Sequence, residues 1–415
     1  MSRGLRRAAA LAVLAIGAAG AVGQAQQAPA SSTGDAVVPF KIQVPDAVLA
    51  DLKDRLGRAR FPGEIPGVGW DYGTDLAYMK ELVTYWRTRY DWRAAERRLN
   101  QFNQFTTTID GLTVHFIHQR SNNPNALALA ITHGWPGSIA EFTKVIGPLT
   151  DPAAHGGTAA DAFHVVAMSL PGFSFSGKPT ERGYGPEKMA GVLAKLMTRL
   201  GYTRYGVQGG DWGSAISRFA ALNDQAHVVG FHTNFCLAGP PAGAANPLDG
   251  VPQAEIARQK AVATFMENER GYFQEQSTKP QTVGYGLDDS PVGLAAWIVE
   301  KFKTWSDSDG IVEKRFTKDD LLTNVMLYWV SQSGASSARI YYENARAAGG
   351  PARKVAVPTA CAVFPKELSF APRRWVEASH NLTRWTEMPR GGHFAAMEEP
   401  GLLVDDVRAF FRTLR

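Results

Sequence analysis

Residues 205–220 read Tyr-Gly-Val-Gln-Gly-Gly-Asp-Trp-Gly-Ser-Ala-Ile-Ser-Arg-Phe-Ala. A short apolar strand, Tyr205 to Gln208, runs into two glycines, and a helical pattern resumes at Ala215. Strand, sharp turn and helix form the setting in which a nucleophile is thrust clear of the backbone, with small residues on either side so that the chain can bend and pack closely. Such turns usually carry serine. Here the position holds Asp211, and Gly-x-Asp-x-Gly is also ordinary turn sequence, so the reading depends on partners elsewhere in the chain.

Working outward, similar apolar runs recur at Leu112–His118, Ala126–Thr132, Phe163–Met168, Val355–Phe364 and Leu382–Glu387. Runs this apolar, separated by helical stretches such as Glu187–Leu200, predict an α/β fold: a mostly parallel sheet with helices on both faces. The strand pattern breaks between about Leu237 and Gly349, which predicts a helical cap inserted between strands. Before the first run, residues from Phe40 to about Phe105 read as helical and tryptophan-rich, with helices over Ala47–Leu56 and Leu76–Arg89. The expected organisation is therefore 1–30 leader, 37–105 N-terminal meander, 106–236 first half of the core, 237–349 cap and 350–415 second half of the core.

Three loops supply partners for Asp211. His133-Gly134-Trp135-Pro136 follows the Ala126–Thr132 strand, where the Trp135 N–H can serve an oxyanion hole together with the N–H of Trp212, the residue after the nucleophile. His133 itself reads as structural. Arg390-Gly391-Gly392-His393-Phe394 follows the last strand and offers His393 as general base, while Phe364-Pro365-Lys366-Glu367 puts Glu367 just past a strand, able to orient that histidine. Nucleophile, acid, histidine is the chain order of α/β-hydrolases. Glu398, Glu399, Asp405 and Asp406 are read as a solvated helix face and its start.

Composition narrows the function classes. The 415 residues are 45% hydrophobic and can bury a large core, as one large domain or two smaller ones. Arg3, Arg6 and Arg7 precede an apolar run from Ala8 to Gly23 and a small, polar stretch through Ala30, the pattern of an export leader in a bacterium. The run is shorter than the roughly 20 residues of a spanning helix, so cleavage is favoured over a retained anchor, and a periplasmic or secreted location is expected by either the general or the twin-arginine route. Loss of the leader would lower the formal charge from +5 to +2. Nothing in that balance points to nucleic acid. The two cysteines, Cys236 and Cys361, exclude a disulfide framework or zinc site, and their apolar surroundings favour buried thiols over a pair.

With these residues in hand, the chain resembles the epoxide hydrolases of the α/β-hydrolase fold, and specifically the microsomal type. The resemblance spans nearly the whole chain after the leader, from Pro39-Phe40-Lys41 to the last helix. It includes Tyr85-Trp86-Arg87, Tyr90-Asp91-Trp92-Arg93 and Gly111–His118 in the N-terminal part, and Thr278–Gly284 and Asp289–Trp297 in the inserted part. It implies Asp211 as nucleophile, His393 as base and Glu367 as its acidic partner. It also implies a pair of cap tyrosines facing the epoxide oxygen: Tyr341, preferred over Tyr342 by the Arg-x-Tyr pattern at Arg339, and Tyr272, matched by Gly271-Tyr272 ahead of Thr278-Lys279-Pro280. The leader departs from the membrane anchor of animal members, so no stable membrane attachment is expected once it is removed.

The chemistry implied is two-stage, with a small-molecule epoxide as the partner. The carboxylate opens the epoxide to an alkyl ester while tyrosines donate to the oxygen, and activated water then hydrolyses the ester to a vicinal diol. No metal or organic cofactor is expected, and a homodimer is left open. Two rivals stand beside this reading: a haloalkane dehalogenase, which shares Asp followed by Trp but lacks the tyrosine pair and meander, and a ligand-binding protein that kept the fold without turnover.

Overall fold

The computed structural model describes residues 36–348 and 353–415. The expected leader at 1–30 lies outside the described residues. Among the described residues nine strands form one sheet: β1 (Val38–Phe40), β2 (Gln104–Ile109), β3 (Leu112–Gln119), β4 (Leu127–Thr132), β5 (Phe163–Met168), β6 (Tyr205–Gly209), β7 (Val228–Thr233), β8 (Val355–Val363) and β9 (His380–Glu387). Their spatial order is β1-β2-β3-β5-β4-β6-β7-β8-β9. The pairs from β1 to β5 run antiparallel, and β5, β4, β6, β7, β8 and β9 are parallel. All residues of β4, β5 and β6 are buried, as expected for central parallel strands covered on both faces.

The α/β expectation holds, with three strands unforeseen. β1 is three residues long and β2 is Gln-Phe-Thr-Thr-Thr-Ile, too polar to stand out; both exist because the hairpin partner β3 and the sheet edge supply their hydrogen bonds. β7, Val-Val-Gly-Phe-His-Thr, contains a glycine that lets the Phe410 and Leu414 side chains lie against the sheet. The helix Pro186–Arg199 does follow its pattern. Proline opens it, and Met189, Leu193, Leu196 and Met197 recur on its buried face.

Six helices of eight residues or more, from Gln253–Glu269 to Gly334–Ala345, lie between β7 and β8. The helix Lys318–Ser331 is buried on all sides from Leu321 to Val330, opened by a capping box between Thr317 and Asp320. It is enclosed because the N-terminal helices wrap it from outside: Tyr85 donates to Asp319 at 2.8 Å and Tyr90 meets the Thr323 hydroxyl at 3.1 Å. Arg55 bonds Asp289, and Thr74 donates to the Ala296 carbonyl. One apolar core runs from Leu82 and Trp86 through Leu321 and Phe302 to the sheet. The N-terminal segment thus acts as a strap that fixes the inserted helices over the strand ends.

Cys236, just after β7, and Cys361, in β8, are joined as a disulfide with Cα atoms 5.9 Å apart. Buried thiols were the favoured expectation. Both sites are indeed buried and apolar, but β7 and β8 are parallel neighbours whose register sets Thr233 beside Cys361, which brings the two side chains together.

Candidate active site

β6 ends at Gly209 and the helix Asp211–Asn223 starts immediately, so Asp211 sits on the turn with φ of 47°. That left-handed conformation is costly for a residue with a Cβ and is kept only where surrounding structure enforces it. The enforcement is close packing. A Cβ on Gly213 would lie 2.0 Å from the Thr132 carbonyl oxygen, so only glycine lets the helix seat against β4. The Asp211 side chain is thereby delivered to the His133–Ser138 loop, where its Oδ1 accepts the Trp135 N–H at 2.8 Å.

His393 reaches the same carboxylate from the loop after β9. Its Nε2 is 3.4 Å from Asp211 Oδ2, and its Nδ1 is 2.5 Å from Glu367 Oε1, which also accepts the Leu368 N–H. The imidazole is buried between Trp305 and Phe235, whose rings meet it edge-on, and its backbone N–H donates to the Trp305 carbonyl. Burial alone would lower its pKa, but Glu367 and then Asp211 outweigh it and hold the imidazole well above its ordinary value. The two carboxylates therefore favour the protonated form of the imidazole.

Tyr272, on the helix Gly271–Thr278, and Tyr341, on the helix Gly334–Ala345, close the site from above. Trp135 organises them: its ring stacks on Tyr272 at 5.2 Å and meets Tyr341 edge-on at 5.8 Å. Trp212 packs edge-on against Tyr341 at 4.8 Å. Burial first, with Asp211 adding to it, raises both phenol pKa values above the ordinary 10, so both hydroxyls keep their protons and remain donors. All seven residues singled out from the sequence are therefore gathered at one place.

Several residues that build the site left no such signal. Asn324 donates to the Pro136 carbonyl at 2.7 Å and accepts from Ser138, and Tyr328 donates to the Gly137 carbonyl at 2.6 Å. Both belong to a largely apolar helical run, and only the tertiary fold shows that these polar members face the loop. Glu398 corrects the solvated-face reading. It is buried and accepts the N–H groups of Asp307, Gly392 and Phe394, clamping the His393 loop, while burial pushes its carboxyl up to about 7. Glu399 pairs with Arg315 and Arg390, and Asp406 is buried against His232, Arg384 and Thr386; of the four acids only Asp405 is exposed. The helix was legible, but its acids are pointed inward by partners far away in sequence. His133 is buried, with Nδ1 on the Gly134 carbonyl and a pKa lowered to about 4 by burial, a structural arrangement.

Known proteins share this fold and much of this sequence. The epoxide hydrolase N-terminus family matches residues 37–142, and the α/β-hydrolase fold family matches 128–363. Epoxide hydrolase 1 of Sus scrofa is 39% identical over 416 aligned residues, covering 93% of this chain and 91% of that protein. The crystal structure of juvenile hormone epoxide hydrolase from Bombyx mori superposes with a TM-score of 0.84 at 33% identity, covering 92% of this chain and 95% of that one. The epoxide hydrolase of Aspergillus niger gives 0.82 at 32% identity, over 94% and 99%.

Proposed function

This chain belongs to the epoxide hydrolases of the α/β-hydrolase fold, of microsomal type, and on that premise we propose that it converts a small epoxide and water to a vicinal diol through an ester on Asp211. The observation that carries this reading is the stacking of Trp135, which donates to Asp211, directly on Tyr272 and edge-on against Tyr341. It sets a carboxylate nucleophile beneath two protonated phenols, the arrangement an epoxide needs on its carbon and on its oxygen.

An Asp211 oxygen attacks a ring carbon, the C–O bond breaks toward oxygen, and Tyr341 or Tyr272 supplies the proton. Esterification removes the charge of Asp211, one of the two anions holding the proton on His393. The imidazolium then reprotonates the tyrosinate and becomes a neutral base. Next, His393 takes a proton from water, and the hydroxide adds to Cγ of the ester. The oxyanion accepts from the Trp135 N–H and from the Trp212 N–H, which lies in the first helical turn and has no intrahelical acceptor. Collapse breaks the bond from Cγ to the alkyl oxygen, and the departing alkoxide takes the proton of the newly formed carboxylic acid; the diol leaves, Asp211 is again a carboxylate and His393 an imidazolium, so protons balance over the cycle. Residues 237–349 act as the cap and 37–105 as the strap, and the reading of 1–30 as an export leader is retained on its sequence. Among the described residues no helix is long and apolar enough to cross a membrane.

The test is one turnover in oxygen-18 water with enzyme in excess over styrene oxide. The diol should emerge unlabelled and the label should appear in the peptide carrying Asp211. Label in the first-turnover diol would replace the ester route by direct attack of water, and halide release from haloalkanes without diol formation would favour the dehalogenase rival.

A further inference from the structure

Beside Asp211 lies a small cavity of about 20 Å³, lined among others by Gly134, Gly137, Glu141, Asp211, Asn234 and His393. That is room for about one water molecule, and the lining is polar enough to hold one. Neither Tyr272 nor Tyr341 lines it, so it is separate from the phenols that face the epoxide oxygen. Two of its walls are Asp211 and His393, the atoms between which a hydrolytic water must sit. The other carboxylate there is Glu141, and the reaction above gives it no task.

Glu141 is not a stray surface acid. It lies on the short helix Ile139–Lys144 that follows the Trp135–Ser138 loop, and its carboxylate curls back over Gly137, so closely that a Cβ there would fall 1.5 Å from Oε1. Gly137 therefore makes space for this carboxylate. The loop is fixed by Tyr328, donating to the Gly137 carbonyl, and by Asn324, bonded to both Pro136 and Ser138. Among the described residues Glu141 forms no salt bridge, although it is close enough to feel both His393 and Asp211. Burial pushes its carboxyl up to about 8, so it is mostly protonated at pH 7; the Ser138 backbone N–H donates to it, and a carboxyl oxygen, having two lone pairs, can accept a water hydrogen as well.

Resting on the ester mechanism above, we propose that Glu141 positions the hydrolytic water: its carboxyl accepts the hydrogen that His393 does not take and aims the oxygen at Cγ of the Asp211 ester. It holds no share of the proton transfer, which runs from water to His393 Nε2. It acts in the second half of the cycle and not in the first, because the epoxide lies on the tyrosine side.

The experiment follows both steps of a styrene oxide turnover separately, by rapid quench and mass spectrometry of the full-length protein. In Glu141→Ala, ester formation should proceed within about twofold of the parent while ester hydrolysis slows roughly tenfold or more, as expected for a misplaced reactant, so that the ester accumulates. Glu141→Gln, which keeps the accepting oxygen, should hydrolyse within about threefold of the parent. Should Glu141→Ala fail to fold, Glu141→Asp, shorter by one methylene, should show the same selective slowing. Equal slowing of both steps, or hydrolysis unchanged in Glu141→Ala or Glu141→Asp, would overturn the assignment. Absence of any ester in the parent enzyme would instead overturn the mechanism on which it rests.

Discussion

On the proposed ester mechanism, Gly134→Ala should displace Asp211 and slow ester formation, with the disturbance confined to the turn that carries it. Gly134 does not occupy the left-handed region, so alanine probes space and not backbone conformation. Its Cβ would stand 1.9 Å from Asp211 Oδ1, 2.4 Å from Cβ and 2.5 Å from Cγ, where real Cβ contacts do not fall below 3.0 Å, so the turn that carries Asp211 must shift as well as its carboxylate. The carboxylate must therefore move by about 1.1 Å, against a tolerance of roughly 0.5 Å for productive geometry. A displacement of that size costs about a hundredfold in rate, or about 2.7 kcal/mol in the barrier. If the side chain swings away instead, it gives up the Trp135 N–H, a charge-assisted bond contributing about 1.5–3 kcal/mol. The assay is the rate of ester formation in a single turnover, alongside thermal melting. Ester formation within about threefold of the parent, at an unchanged melting temperature, would refute the reasoning. The contrast is Gly213→Ala, where the obstacle is the Thr132 backbone at 2.0 Å; there melting should fall together with activity.

Replacing Tyr341 or Tyr272 by Phe should slow ester formation by about ten- to a hundredfold, the worth of a hydrogen bond to a developing alkoxide, with ester hydrolysis much less affected; the reverse pattern in single-turnover traces would contradict their role as donors. Because the folded-state pKa of His393 is raised, its contribution to stability is complete below the unfolded value near 6.5 and is lost as pH rises through the folded value. Urea unfolding should therefore show stability declining above pH 6.5, and His393→Gln should remove that part of the slope. Cys361→Ala opens a disulfide closing 125 residues of chain and should lower stability by about 4–5 kcal/mol on the loop-entropy estimate; equal melting temperatures with and without the bond would count against the pairing.

What the sequence by itself determined was whatever depends on residues near one another in the chain. The apolar runs at Leu127–Thr132 and Phe163–Met168 read as buried parallel strands, and Gly209-Gly210-Asp211 read as a strand-to-helix turn once its partner loops were considered. Asp211, Glu367 and His393 were legible for the same reason, since each stands at the end of a recognisable strand, in an order that one fold explains. The tertiary structure decided everything that rests on contacts between distant segments. It supplied partners for β1 and β2, whose own sequences are too short or too polar to declare a strand. It joined Cys236 to Cys361 by setting β7 beside β8, and it turned Glu398 and Asp406 inward by offering them N–H groups and cations from elsewhere. Glu141 belongs to this second group. Nothing in its local sequence marks it, and only the curl of its carboxyl over Gly137 brings it to the cavity lined by Asp211 and His393.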